Sequence, residues 1–177
     1  ADGDGYTNIE EFLNGTVPQP IAQQALPTKT TVDAKGFIRL NGERFFPYGF
    51  YLEEKRDFSD LRQNIKTIGE AGFNIAFVEP NDNARISQVF DEAERQNVKL
   101  IYTPAKYIVE YFGLDSLVNL ISSLGIQNES SLFGYNLADD VRDGKMTGQP
   151  TDARDIKRFH DAFKQTDPDH LTMVAIG

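Results

Sequence analysis

Residues 74–103 read NIAFVEPNDNARISQVFDEAERQNVKLIYT, and their hydrophobic period changes twice. Ile75 to Val78 is an apolar run of strand length. Asn81, Asp82 and Asn83 supply helix start signals, and Ile86, Val89, Phe90 and Ala93 then recur on one helical face. Lys99 to Thr103 is a second apolar run. A strand, a helix and a strand in such quick succession predict a βαβ unit with parallel strands.

The same alternation continues in both directions. Upstream, Phe46 to Tyr51 reads as a strand, and Leu61, Ile65 and Ile68 as a helical stripe ended by Gly72. Downstream, Leu114, Leu117, Val118, Ile121 and Leu124 form a stripe ended by Gly125. Phe133 to Ala138 is a strand, Ile156, Phe159 and Phe163 form a stripe stopped by Asp167-Pro168, and Leu171 to Ile176 is a last strand. Strict alternation of this kind predicts an α/β fold with a parallel sheet. No glycine-rich phosphate loop follows the first strand, so nucleotide binding has no support. A complete (β/α)8 barrel takes about 250 residues. Residues 36–177 are therefore expected to form a partial TIM barrel of about five of the eight β/α units. The missing C-terminal part of that barrel is an expected partner.

Two segments precede the barrel region. Residues 36–46 read as a hairpin around Asn41-Gly42, a strong two-residue turn signal. Residues 17–35, with Pro18, Pro20 and Pro27 among Gln and Thr, read as a linker. Residues 1–16 carry an acidic pattern matching most of an EF-hand calcium loop. With Gly5 at the sixth position of such a loop, Asp2, Asp4, the Tyr6 carbonyl, Asn8 and Glu11 fall at ligand positions three, five, seven, nine and twelve. Calcium favours this mixture of oxygens around a glycine turn, closed by a glutamate. The first ligand position would precede Ala1, so a longer parent protein is expected. A helix from Asn8 to Asn14 would follow the loop. The stretch resembles the dockerin-like or thrombospondin-repeat-like calcium loops of secreted bacterial polysaccharide degraders.

Composition narrows the function classes. The chain has 177 residues, 18 Lys+Arg against 27 Asp+Glu, and a net charge of -9. No basic stripe is present, which argues against nucleic acid as a partner. No apolar run is long enough to span a bilayer, so no membrane partner is expected. The absence of cysteine removes thiolate zinc sites and Cys nucleophiles, and two histidines, His160 and His170, make a multi-His metal site a poor fit. His160 reads as a helix-surface residue and His170 as part of a turn.

In a barrel, reacting groups project from the carboxyl ends of the strands. Those ends hold Tyr51 and Glu53, Glu79 and Asn81, Thr103 and Lys106, and Asp139 and Asp140. Asn136 lies just before the last pair. Glycoside cleavage needs two carboxyl groups, one of which must keep its proton near neutral pH. Asp139 and Asp140 are adjacent, and neighbouring strand residues face opposite sides, so one of them would enter the pocket. The plain alternatives are a strand-end turn for the aspartates, a loop carboxylate for Glu79 and a surface cation for Lys106. The chain has no tryptophan. Tyr51, Tyr102, Tyr107, Tyr111 and Tyr135 are the available stacking platforms, although Tyr107 and Tyr111, at i,i+4, also suit packing.

Four stretches resemble glycoside hydrolase barrels. Gly36 to Tyr51 resembles the opening hairpin and first strand, and Ile68-Gly-Glu-Ala-Gly-Phe-Asn74 the junction into the second. Phe133-Gly-Tyr-Asn-Leu-Ala-Asp-Asp140 resembles a fourth-strand segment ending in Asp-Glu, and Thr166-Asp-Pro-Asp-His170 the turn before strand five. The resemblance implies a secreted or cell-surface retaining glycosidase acting on a polysaccharide or oligosaccharide. It implies an acid/base carboxylate at Asp140, assisted by Asp139, and a nucleophile after strand seven, outside this chain. Tyr51, Glu53, Glu79, Asn81, Lys106 and Asn136 are the expected sugar contacts. Asp140 stands where those families have Glu, which favours the alternative of a non-catalytic glycan-binding or structural module.

Overall fold

The computed structural model describes residues 27–53, 58–79, 85–104, 113–138 and 153–174. The calcium-loop residues Asp2, Asp4, Tyr6, Asn8 and Glu11 lie outside these.

The described chain opens with a small antiparallel sheet in the order β1–β2–β3, comprising Thr30–Val32, Ile38–Leu40 and Glu43–Arg44. Asn41 and Gly42, with φ of 51° and 87°, make the turn between β2 and β3. Positive φ at both central positions is what a two-residue hairpin of this twist demands, and Asn-Gly tolerates it best. Residues 17–35 were expected to be linker throughout, but β1 lies inside that span and pairs with β2, Thr31 standing opposite Arg39. The reason is chemical. Thr30 Oγ1 donates to the Phe133 carbonyl at 2.7 Å and accepts from Leu171 N–H at 2.8 Å. The strand is held by hydroxyls and backbone groups, so it shows little hydrophobic period.

Five parallel strands follow, β4 (Gly49–Glu53), β5 (Ile75–Glu79), β6 (Lys99–Tyr102), β7 (Leu132–Ala138) and β8 (Leu171–Val174). Between them run α1 (Phe58–Glu70), α2 (Ile86–Arg95), α3 (Leu114–Leu124) and α4 (Ala153–Thr166). The strands pair in the order β4–β5–β6–β7–β8. A doubly wound sheet reverses direction at a switch point. Here every crossover steps the same way, which with right-handed crossovers puts all helices on one face and curves the sheet as in a barrel.

Side chains sort accordingly. On the helix side, Leu61 and Ile65 of α1, Val89 and Phe90 of α2, Ile121 of α3 and Phe163 of α4 share one core with Ala76, Val78, Leu100 and Tyr102. On the opposite, lumenal side, Ile75, Ile101 and Phe133 pack with Phe77, Leu171 and Met173, and Ile38, Leu40 and Phe45 of the small sheet close them from below. The Phe45 and Phe133 rings lie 5.2 Å apart. A bulge helps: Leu100 pairs with Leu132 but Ile101 with Gly134, leaving Phe133 as an extra residue on the lumenal face. Gly134 is required there, since a Cβ would sit 2.3 Å from the Leu171 carbonyl oxygen.

Asn74 explains the junction before β5. Its Oδ1 accepts from Tyr48 N–H at 2.8 Å and its Nδ2 donates to the Phe46 carbonyl at 2.9 Å. One amide thus holds the lead into β4, where Phe46 is 81% exposed and Tyr48 and Phe50 are also exposed.

Replacing Thr30 by Val keeps shape and β propensity but strands the Phe133 carbonyl and the Leu171 N–H. Stability should fall by about 1–3 kcal/mol, the cost of unsatisfied buried backbone groups, read as a lower urea midpoint at unchanged slope. An unchanged midpoint would show that the hydroxyl does not hold β1 to β7 and β8.

Candidate active site at the carboxyl ends of the strands

Toward the carboxyl ends of the strands the described lumenal face becomes polar, while at its amino end Lys99 Nζ donates to the Ser130 carbonyl at 2.8 Å. Tyr51 pairs with Phe77, and Glu53 with Glu79. The Tyr51 ring stacks on Phe77 with centroids 5.8 Å apart, and its hydroxyl donates to Glu79 Oε2 at 2.8 Å. This stack and hydrogen bond bring two of the sequence candidates together. Thr103 follows β6 and continues its pairing, donating N–H to the Val78 carbonyl at 2.8 Å. Alternation puts its side chain on the lumenal face, beyond Ile101. Asn136 occupies the corresponding place on β7, where Tyr102 pairs with Tyr135 just before. Glu79, Thr103 and Asn136 therefore stand at one level on successive strands, and Tyr51, one step below, reaches Glu79 through its hydroxyl.

The other candidates fare differently. Glu53 lies opposite Glu79 in register, and its side chain is outside the described residues. Asn81, Lys106, Asp139, Asp140, Tyr107 and Tyr111 lie outside them altogether. Tyr102 and Tyr135, expected as stacking platforms, are fully buried on the helix side of the sheet, so they cannot meet a sugar ring. Among the described residues, no group of three or more His, Cys, Asp or Glu gathers to hold a metal ion, and no helix is long and apolar enough to cross a membrane.

A second polar cluster sits at the opposite end of the strands. His170 Nδ1 faces both Asp167 oxygens, at 2.9 and 2.8 Å, and its Nε2 lies 3.1 Å from Thr28 Oγ1. Tyr135 donates to Asp167 Oδ2 at 2.6 Å, and Thr28 Oγ1 donates to the Leu132 carbonyl. An Asp–His–Thr series invites comparison with a nucleophilic triad. All three residues are buried, however, and they lie at the amino ends, where a barrel keeps its stabilising contacts. The cluster is a clasp. His170 does belong to the turn before β8, but as its buried hub. His160 is exposed on α4, with Nδ1 2.6 Å from Thr172 Oγ1.

Burial alone would raise the Asp167 carboxyl, but the hydrogen bonds from His170 and Tyr135 outweigh it and hold it below its ordinary value. Burial, with Asp167 beside it, pushes the Tyr135 hydroxyl far up, so it remains a donor.

An open groove of about 750 Å3 lies between α3 and α4, lined by Asp115, Arg154, Lys157, Arg158 and Asp161 among others. It belongs to the outer helices rather than the lumen, and its charges are mixed.

No family profile matches the chain, and no curated protein sequence does. Solved structures do match. A β-mannanase from the blue mussel Mytilus edulis superposes with a TM-score of 0.58 at 15% identity, over 85% of this chain and 63% of its own. A β-1,4-D-mannanase from Cryptopygus antarcticus gives 0.60 at 13%, over 85% and 60%. An endo-1,4-β-mannanase from Eisenia fetida gives 0.56 at 16%, over 83% and 61%. The fold is glycoside hydrolase-like. The chain spans about three-fifths of the length of these mannanases.

The Asp167 clasp makes acid stability testable. A carboxyl lowered in the folded state stabilises above its unfolded value, near pH ~4. That contribution is lost as pH falls through the lower folded value. Asp167→Asn should be less stable at pH 7, and its urea midpoint should depend less on pH below ~4 than that of the wild type. Parallel midpoint curves for the two proteins would refute the role.

Proposed function

We propose that the chain carries the first five β/α units of a secreted glycoside hydrolase acting on a polysaccharide or oligosaccharide. The observation behind this reading is the polar band of Tyr51, Glu79, Thr103 and Asn136 at the carboxyl ends of sequentially ordered parallel strands, where barrel enzymes do their chemistry. The mannanase structures supply a first substrate to test, β-1,4-mannan.

In this reading Asp140 is the proton donor to the glycosidic oxygen and Asp139 positions it or a sugar hydroxyl. Tyr51, Glu53, Glu79, Asn81, Lys106 and Asn136 contact the sugar. The second carboxylate comes from the remaining β/α units, which pair with the open edges of the sheet. One aspartate at the acid position reaches less far than a glutamate, and acid catalysis depends on reach. That shortening is the specific observation that favours the second reading, a glycan-binding barrel without catalysis.

In a protein with all eight units, Asp140→Asn should lower turnover of mannan by ~10²–10⁴, the usual contribution of a positioned acid. An activated aryl glycoside, whose leaving group needs little protonation, should lose much less. Equal losses on both substrates rule out the acid role. Unchanged rates on both favour the binding module.

The Asp2, Asp4, Tyr6 carbonyl, Asn8 and Glu11 pattern is proposed to hold a structural calcium ion. Titrating the chain with calcium should release or absorb heat and raise a melting temperature that EDTA lowers again. Absence of both effects refutes a working site in this chain.

A further inference from the structure

The lumenal face changes character along the strands. At the level of Ile101, Phe133 and Leu171 it is apolar and filled. One register step toward the carboxyl ends, Thr103 and Asn136 stand on neighbouring strands, with exposures of only 3% and 1%. Thr103 Oγ1, Asn136 Oδ1 and Asn136 Nδ2 have no hydrogen-bond partner among the described residues. Burying a carboxamide with neither end satisfied is unfavourable, and a leucine would fill nearly the same space without that penalty. The arrangement destabilises the free protein at the end of the barrel where ligands bind.

The chemistry of the partner follows from the groups on offer. An amide presents one acceptor and one two-hydrogen donor in a single plane, and a threonine hydroxyl can donate or accept. Among the described residues, the charged group continuing this level is Glu79, which follows Val78 on β5 as Thr103 follows Tyr102. A phosphate, sulfate or carboxylate would meet that carboxylate. Among the described residues, a metal ion would find one carboxylate and no cluster. A neutral polyol complements every atom: one hydroxyl donates to Oδ1, the adjacent hydroxyl accepts from Nδ2, and a third exchanges with Thr103.

We propose that Thr103 and Asn136 form the floor of a subsite for an uncharged sugar ring, with the Asn136 amide spanning a pair of vicinal hydroxyls. The inference rests on the glycan reading above and adds the chemical class of the ring bound there, an unmodified hexose rather than a uronic acid or a sulfated sugar. Thr103, a strand-end residue in the sequence, is here added to the expected sugar contacts.

The test uses the 177-residue chain, with β-1,4-mannotetraose as the neutral probe and tetragalacturonate as the anionic control. Asn136→Leu should raise the melting temperature by about 2–4 °C and weaken mannotetraose binding at least tenfold. Thr103→Val should act in the same directions, more weakly. In the wild type, the Asn136 side-chain amide resonances should shift with mannotetraose and stay in place with tetragalacturonate. A melting temperature unchanged or lowered by Asn136→Leu overturns the proposal, because the amide would then be bonded within the protein. So does an amide unmoved by millimolar mannotetraose, or moved equally by the anionic sugar. These readouts are independent of turnover. If the complete barrel hydrolyses nothing while this amide still answers to mannotetraose, the hydrolase reading fails and the subsite stands.

Discussion

Parallel strands whose crossovers all run one way place every helix on the same face and leave the other face to be covered by something else. The rest of this molecule follows from that constraint. The helix stripes, Leu61 and Ile65, Val89 and Phe90, Phe159 and Phe163, cover the outside. The lumen is filled by the sheet's own Ile75, Phe77, Ile101 and Phe133, and closed below by Phe45 and its small antiparallel sheet. The upper lumen holds the polar groups Glu79, Thr103 and Asn136.

The two ends of the sheet therefore do opposite work. At the amino ends the Asp167 cluster is mutually satisfied: Asp167 accepts from Tyr135 and from His170, and Thr28 and Thr30 bond the backbone of β7 and β8. At the carboxyl ends Glu79 is steadied by Tyr51, while Thr103 and Asn136 are left unmatched. A satisfied network rigidifies, and an unsatisfied one reserves its hydrogen bonds for whatever enters.

The strands and helices of the barrel region were legible because each buries an apolar run or stripe, and Asn41-Gly42 carries its turn in its own backbone preferences. Strand β1 was not legible. Thr30–Val32 is anchored through hydroxyl and main-chain groups, which leave no period to read. The bulge at Phe133 was hidden for a related reason, since it changes which residue faces inward without changing composition. At the candidate site, Tyr51, Glu79 and Asn136 follow from strand ends alone. The burial of Tyr102 and Tyr135 on the helix side depends on register, which a tyrosine count cannot supply. The unmatched state of Thr103 and Asn136 is a property of their neighbours in space. The Asp167–His170 pair did leave a signal, an acid and an imidazole three residues apart around a proline turn, but its partner Thr28 lies far upstream.

That distance shapes how the chain must assemble. The contacts between consecutive strands span a few tens of residues, so each β/α unit can form on the one before it. Thr28 meets Leu132 and His170, and Thr30 meets Phe133 and Leu171, across separations of 103 to 142 residues. Loop-closure entropy grows with such separations, and long-range pairings are slow to form. Strand β1 thus completes its contacts only with groups that come far later in the chain. Without β8 it keeps its pairing with β2 but not the Thr30 bond to Leu171, and a trimmed version of this chain beginning at Gly36 would lack the piece that ties the small sheet to β7 and β8.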